Sequence, residues 1–198
     1  MKISRNHVAA ALLAVALTLA GCETVQDAPA GDYKVGAAYE VTLTRQWSDI
    51  SAIMKARPRN IHLLSVDGPL LNRLYLSEGL KDGDFLVKPE DETKPTPTYH
   101  AGMSITEEVE FVANSVAALS YERVETTNLR PSSFGGLDGV RFDITAETKE
   151  GLDISGTGLV ADRGGRLFVI VYLAPSEHYY AEGLPEVESI MKSVRLGA

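Results

Sequence analysis

The chain has 198 residues, of which 27 are acidic and 19 are basic, so its formal net charge is −8. An acidic chain of this kind is not expected to bind nucleic acid by charge, because phosphates are held by basic patches. Its single cysteine is Cys22, which excludes a disulfide within the chain and a zinc site built from several cysteines.

The N-terminus has the three parts of an export signal. Lys2 and Arg5 supply positive charge, residues 8–17 form an unbroken apolar run, and small residues precede Cys22. The apolar run is about half of the roughly 20 residues that a membrane-spanning helix needs. The pattern therefore predicts that residues 1–21 are a signal peptide, which is removed from the mature protein.

The segment ends in Leu19-Ala20-Gly21-Cys22, which resembles the lipobox of bacterial lipoproteins. The resemblance implies cleavage before Cys22, a diacylglycerol on its sulfur, and acylation, for example with palmitate, of the amino group that cleavage frees. Two or more acyl chains anchor a protein stably, whereas one is marginal. Glu23, in place of an aspartate, favours the outer membrane, facing the periplasm. The alternatives are an ordinary signal peptide with a chance cysteine, or a cysteine buried in the fold.

Removal of the signal peptide takes away Lys2 and Arg5 and no acidic residue, so the formal charge becomes about −10. A protein this acidic is not attracted to an anionic bilayer, which makes the lipid its necessary anchor. Residues 22–32 are small and polar and include a proline, a composition that predicts a flexible tether. Residues 33–198 are predicted to form a single domain.

The first half of this domain is predicted to contain strands and one short helix. Apolar and polar residues alternate over 39–44, which predicts a strand. Ser48 is expected to cap a short helix that ends at Pro58. Residues 61–66 and 70–76 are expected to pair as a hairpin.

A proline-rich, acidic stretch, residues 88–98, predicts a long loop within the domain, with a domain boundary as the alternative. After it, Ser104 and Glu107 have the spacing of a capping box at the start of an amphipathic helix. Pro185 is expected in the first turn of a last helix, and residues 193–196 in a final short strand.

Three consecutive strands are predicted between these helices, over residues 140–147, 152–160 and 166–174, as an antiparallel meander. The third is apolar on both faces, which is typical of a strand at the centre of a sheet that is covered on both sides. The sequence therefore predicts an α+β fold in which helices pack on an antiparallel sheet.

The order of elements from Ser104 onward resembles the PsbP-like α/β/α sandwich family, which includes small bacterial lipoproteins of the DcrB type. The residues that carry the resemblance are the capped helix, residues 135–142 (GGLDGVRF), the strand 167–174 and the closing residues 189–194 (SIMKSV). The resemblance implies accessory or assembly roles, usually without catalysis.

No motif in the sequence indicates catalysis or a cofactor. His62, His100 and His178 lack the spacing of known metal motifs, and we expect them to be ordinary surface residues. The chain has no G-x-S-x-G nucleophile elbow, and its glycines fit neither a Walker A loop nor a dinucleotide fingerprint. Glu90-Asp91-Glu92 lacks the spacing of a calcium loop and is expected to be a solvated loop.

One cluster is suggestive of binding, namely Tyr172, Tyr179 and Tyr180. Tyrosines at the end of a central strand can line a binding surface, because each offers apolar area and a polar tip. The alternative is that they cover the core.

The sequence thus predicts a lipid-anchored envelope lipoprotein that acts as a non-catalytic binding or accessory module for an envelope protein. The alternatives are an enzyme acting on a periplasmic or cell-wall substrate, and a structural lipoprotein whose role is protein contact alone.

Overall fold

The computed structural model describes residues 25–54, 57–88 and 96–197. Cys22 and Glu90-Asp91-Glu92 lie outside these residues. In chain order the elements are β1 (Gln26–Ala28), β2 (Gly31–Val35), β3 (Tyr39–Leu43), β4 (Trp47–Asp49), β5 (Ile61–Ser65), β6 (Arg73–Ser77), α1 (Ile105–Ala117), β7 (Glu122–Phe134), β8 (Leu137–Glu147), β9 (Asp153–Asp162), β10 (Leu167–Pro175), α2 (Tyr179–Lys192) and β11 (Arg195–Leu196).

The strands form two antiparallel sheets. The large sheet has eight strands in the order β1-β4-β5-β6-β10-β9-β8-β7, and the small sheet has the order β11-β3-β2. Pairing of β6 with β10 places the strands before and after residues 89–95 in one sheet. The two edges of the large sheet are therefore β1 and β7.

Each face of the large sheet is covered, so the molecule has three layers. One face packs on α1 through residues such as Val112 and Phe142. The other face packs on α2 and the small sheet, through residues such as Ile190 and Val41. This is an α+β fold with helices on an antiparallel sheet, as the sequence predicts. Neither helix in the described ranges is long and apolar enough to cross a membrane.

Strand β10 lies at the centre of this arrangement, between β6 and β9. All nine of its residues are buried. Because side chains alternate along a strand, Val169 and Val171 enter the core under α1, while Ile170 and Tyr172 enter the core under α2. The prediction of a central strand covered on both sides is confirmed.

The start of α1 and the meander are also confirmed. The Ser104 hydroxyl accepts a hydrogen bond from the Glu107 backbone N–H, and the Glu107 carboxylate accepts one from the Ser104 backbone. Strands β8, β9 and β10 pair consecutively, and the predicted hairpin forms between β5 and β6.

The short helix predicted after Ser48 is wrong. Ser48 lies in β4, which pairs with β1 on one side and β5 on the other. Trp47 is 1% exposed in this strand, and burying a side chain of that size outweighs the weak local preference for a helix.

The flexible tether predicted over residues 22–32 is wrong for its described part. Gln26–Ala28 form β1 and pair with β4, and β2 begins at Gly31. Ala28 is 2% exposed opposite Trp47, so burial and backbone pairing hold this segment on the sheet.

Helix α2 begins six residues earlier than Pro185 predicts. Pro185 lies inside the helix, which starts at Tyr179. The Tyr180 hydroxyl donates to the Gly156 carbonyl oxygen, and the Tyr180 ring stacks on Tyr172. These contacts fix the first turn on the sheet before the proline is reached.

Candidate binding surface

The predicted tyrosine cluster is mostly part of the core. Tyr172 is 1% exposed, and its hydroxyl donates to the Tyr179 backbone carbonyl at 3.1 Å. Its ring centroid lies 6.0 Å from that of Tyr180, and the two rings are stacked. Burial raises the pKa of Tyr172 to about 12. Tyr172 therefore offers no surface to a partner, and a binding role stays a prediction for the half-buried Tyr179 and Tyr180 alone.

The three histidines are not brought together. His100 and His178 are exposed, and each lies near one carboxylate, Asp82 at 3.4 Å and Glu182 at 3.5 Å. His62 is not the ordinary surface residue that the sequence predicts, because its side chain is only 21% exposed and both ring nitrogens have partners. Among the described residues, no group of three or more His, Cys, Asp or Glu side chains could hold a metal ion.

His62 belongs to a hydrogen-bonded row that crosses from the small sheet to the large one. Tyr33 donates its hydroxyl proton to Asp49 Oδ2 at 2.7 Å, and the Tyr33 hydroxyl oxygen lies 2.9 Å from His62 Nδ1. Since that proton is committed to Asp49, Nδ1 must donate to the Tyr33 oxygen. Nε2 lies 3.0 Å from Glu78 Oε1. Each ring nitrogen of His62 therefore has one hydrogen-bond partner.

Two pKa values in this row reflect the pairing. Burial and the hydrogen bond to Asp49 raise the pKa of Tyr33. Burial alone would raise the pKa of Asp49, but hydrogen bonds from Ser51 and Tyr33 outweigh it and lower the pKa. Every polar side chain of the row is thus engaged in joining strands.

An open cavity of about 490 Å³ lies beside the small sheet, lined in part by Lys34, Glu40 and Arg195. Arg195 is already engaged, because it donates to Glu40 Oε1 at 3.0 Å and to Asp32 Oδ1 at 2.6 Å. The charge of Arg195 is therefore neutralised within the chain.

A more apolar cavity of about 340 Å³, which we call the edge groove, lies between the start of α1 and the β7–β8 hairpin. Its lining residues are Ile105, Leu129, Arg130, Pro131, Ser132, Asp138, Gly139 and Val140. Two of its walls are large exposed apolar side chains, since Ile105 is 56% exposed and Leu129 is 48% exposed. An exposed apolar cleft of this kind is typical of a binding site.

A β-bulge in β7 forms one wall of the edge groove. Thr127 pairs with Asp143 and Arg130 pairs with Arg141, so Asn128 and Leu129 together face one residue of β8. Asn128 has a φ of +53°, a left-handed conformation that is uncommon for residues other than glycine. The extra residue re-aims the strand and turns Leu129 into the groove.

Three hydrogen bonds hold this bulge. The Asn128 amide donates to Asp143 Oδ2 at 3.0 Å, and the Arg130 guanidinium donates to Asp143 Oδ1 and to the Asn128 carbonyl oxygen. Burial alone would raise the pKa of Asp143, but the bonds from Asn128 and Arg130 lower it. The left-handed residue is therefore fixed on several sides, which is how backbone strain persists at functional sites.

Sequence reasoning missed the edge groove because β7 gives no strand signal. Its residues, ERVETTNLRPSSF, are polar and mostly exposed, so they lack the apolar alternation that predicts strands. The asparagine at position 128 is a local signal that could have indicated a turn or bulge, since Asn tolerates the left-handed conformation better than most residues.

Comparisons with known proteins give similarity in structure alone. No protein-family model matches the chain, and no curated protein matches it in sequence. The solution structure of cyanobacterial PsbP (CyanoP) from Synechocystis sp. PCC 6803 is similar, with a TM-score of 0.53 at 11% identity over 90% of this chain and 95% of that one. The Ran-binding protein Mog1p of Saccharomyces cerevisiae also has a TM-score of 0.53, at 9% identity over 88% of this chain and 96% of that one.

The chain has the PsbP/Mog1-like fold. The PsbP-like fold that the order of elements implies is therefore confirmed. At these identities the similarity extends to architecture and not to residues of a site. The function must accordingly be argued from the chain's own side chains.

Proposed function

We propose that the protein is a bacterial envelope lipoprotein, anchored by lipid on Cys22, and that it acts as a non-catalytic module that binds a protein partner. The lipobox-like Leu19-Ala20-Gly21-Cys22 supports the anchor. The edge groove supports the binding role, because the fold holds a strained bulge that exposes Leu129 to solvent. Mog1p, which has a similar fold, is a Ran-binding protein, and this favours a protein as the partner.

The Cys22→Ser variant tests the anchor. We expect it to lose incorporation of radioactive palmitate and to leave the membrane fraction, while the domain stays folded. Label retained in Cys22→Ser would contradict the lipoprotein assignment. Glu23→Asp tests the predicted outer-membrane location, since we expect this variant to move to the inner-membrane fraction in a density gradient.

Photocrosslinking in cells tests the binding role. A photoreactive amino acid at position 129 should give an adduct with one defined envelope protein, identified by mass spectrometry. The matched control is position 152, because Leu152 is 45% exposed, close to the 48% of Leu129, but lies outside the edge groove. Equal adducts from both positions, or none from position 129, would overturn the proposal.

The competing reading as an enzyme makes a different prediction. Turnover of a periplasmic or cell-wall substrate should be abolished by replacing one polar side chain, and His62 is the first to test because both of its ring nitrogens are engaged. Turnover by the full chain that is lost in a folded His62→Gln variant would contradict the non-catalytic role.

A further inference from the structure

We propose that the edge groove binds an extended, basic segment of the partner protein. An apolar side chain of that segment enters between Ile105 and Leu129, and a Lys or Arg two residues away in the segment pairs with Asp138. This inference rests on the proposed function as a protein-binding module and names the chemistry of its partner.

The apolar part of the segment is indicated by the walls and floor of the groove. Ile105 and Leu129 stand exposed on either side, and Pro131 and Val140 are neighbours in the β7–β8 register between them. Val140 is partly buried against the core under α1. An apolar side chain placed here covers surface that now faces water, which is the main source of favourable free energy at such a contact.

The basic part is indicated by the charges that line the groove. Arg130 is committed to Asp143 at 2.9 Å, so its charge is neutralised within the chain. Asp138 is exposed, and its carboxylate has no hydrogen bond or ion pair among the described residues. The groove therefore offers a partner one uncompensated charge, and that charge is negative.

Helix α1, which forms the other wall, adds to the negative potential. Its thirteen residues include the exposed Glu107 and Glu110 and no Lys, Arg or His. Opposite potentials across an interface speed association and exclude partners of the same sign. An acidic segment would accordingly be repelled from this groove and a basic one attracted.

The spacing between the two contacts follows from the strand. Side chains alternate along β8, so Asp138 and Val140 lie on the same face of the sheet, about 7 Å apart along the strand. Two side chains at positions i and i+2 of an extended segment have the same separation and direction. The expected motif is therefore an apolar residue, any residue, and then Lys or Arg, in either chain direction.

The segment is expected to lie on the face of the hairpin and not to add a strand at the β7 edge. Two register shifts interrupt β7, at Glu122/Glu125 and at Thr127/Arg130. Pro131, which has no backbone N–H, lies in the same strand. Bulges and prolines are the features by which edge strands avoid pairing with another chain.

The test uses the full-length lipidated protein in nanodiscs of phosphatidylcholine, a lipid without net charge, so that the lipid does not attract basic peptides. A random peptide library on phage is selected against it, and enriched peptides are sequenced. We expect apolar-x-Lys/Arg motifs. Leu129→Ser should weaken binding of a selected peptide by more than about tenfold, whereas the matched Leu152→Ser should not.

Reversal of the charge at position 138 distinguishes specific recognition from nonspecific hydrophobic binding. Asp138→Lys should shift the enriched motif from basic to acidic, and Asp138→Asn should weaken binding of basic peptides by up to about fivefold. Glu150→Lys, an exposed acidic residue in the β8–β9 turn, is the matched control and should change neither. Only variants whose melting temperature equals that of the wild type are compared.

Each other outcome contradicts the inference in a distinct way. Peptides that depend on Leu129 but show no charge preference, or an acidic preference, would overturn the partner chemistry while leaving the binding role in place. Absence of any peptide that depends on Leu129 would overturn the groove as a peptide site, and the crosslinking at position 129 then decides the proposed function separately.

Discussion

The hydroxyl of Tyr33 lies 2.9 Å from Nδ1 of His62, and through this contact β2 of the small sheet is joined to β5 of the large sheet. The same hydroxyl donates to Asp49 in β4. One tyrosine oxygen therefore connects three strands, and its removal leaves two half-buried polar groups without that partner.

We expect Tyr33→Phe to lower the free energy of unfolding by about 1–3 kcal/mol, the cost of leaving such groups unsatisfied. Urea denaturation followed by circular dichroism measures it. The matched variant is Tyr39→Phe, because the Tyr39 hydroxyl is buried with no hydrogen-bond partner in the described chain. Tyr39→Phe should be neutral or stabilising, and a larger loss from Tyr39→Phe than from Tyr33→Phe would contradict the assigned roles.

Glu108 should make stability fall as pH rises. Burial, followed by the nearby charge of Asp162, raises the pKa of Glu108 to about 7. At pH values between the ordinary pKa of a glutamate and this raised pKa, Glu108 keeps its proton in the native chain and has lost it in the unfolded chain. The stability contributed by that proton is therefore present at low pH and is lost as pH rises through the window.

We expect Glu108→Gln to remove this dependence, so that its advantage over wild type grows by about 2 kcal/mol between pH 5 and pH 8. Urea unfolding at both values measures the difference. Glu110→Gln is the control, because Glu110 is exposed on the same helix. Parallel pH profiles for wild type and Glu108→Gln would show that Glu108 is not the source.

Val171 should not tolerate a charge. It is 1% exposed in the central strand, under α1, and an aspartate there would be buried without a partner at a cost of several kcal/mol. That is a large share of the roughly 5–15 kcal/mol that stabilises a typical domain. Thermal melting of Val171→Asp should show a strongly lowered or absent transition, while Leu152→Asp, at an exposed site, should melt close to wild type.

Gly158 leaves room for the Phe142 ring against β9. A Cβ atom at Gly158 would stand 2.3 Å from Phe142 Cζ, and Phe142 is fully buried and cannot move aside. We expect Gly158→Ala to cost about 1–3 kcal/mol through overpacking. Combining it with Phe142→Leu should recover part of the loss in a double-mutant cycle. Strictly additive losses would argue against this contact.

The sequence predicts well those elements whose signal is local. Ser104 and Glu107 determine the start of α1 by themselves. Apolar and polar residues alternate along β8 because only one of its faces is buried. Strand β10 has no alternation, yet its unbroken apolar run is sufficient evidence of a central position. Tyr172 shows the limit of this reasoning, because the same run that placed it mid-sheet also implied that its side chain is buried.

The elements that depend on distant partners are not predictable in this way. Trp47–Asp49 becomes a strand because β1 and β5 flank it. Strand β7 is an exposed edge, and its polar sequence lacks the alternation of apolar and polar residues that predicts a strand. The edge groove combines that strand with the start of α1, and its exposed wall results from a left-handed Asn128 held by Asp143. Such a conformation arises from tertiary contacts and leaves only a weak mark in the sequence.

The pairing of Gln26 in β1 with Asp49 in β4 also limits where the protein can work. If Cys22 carries the lipid, three residues separate it from the sheet, and a chain of that length spans at most about 14 Å. The edge groove lies at the far edge of an eight-stranded sheet, roughly 30 Å from β1. The protein would then search for partners in a thin layer along one bilayer, in two dimensions, and a partner held on the opposite membrane would have to extend its own basic segment to meet it.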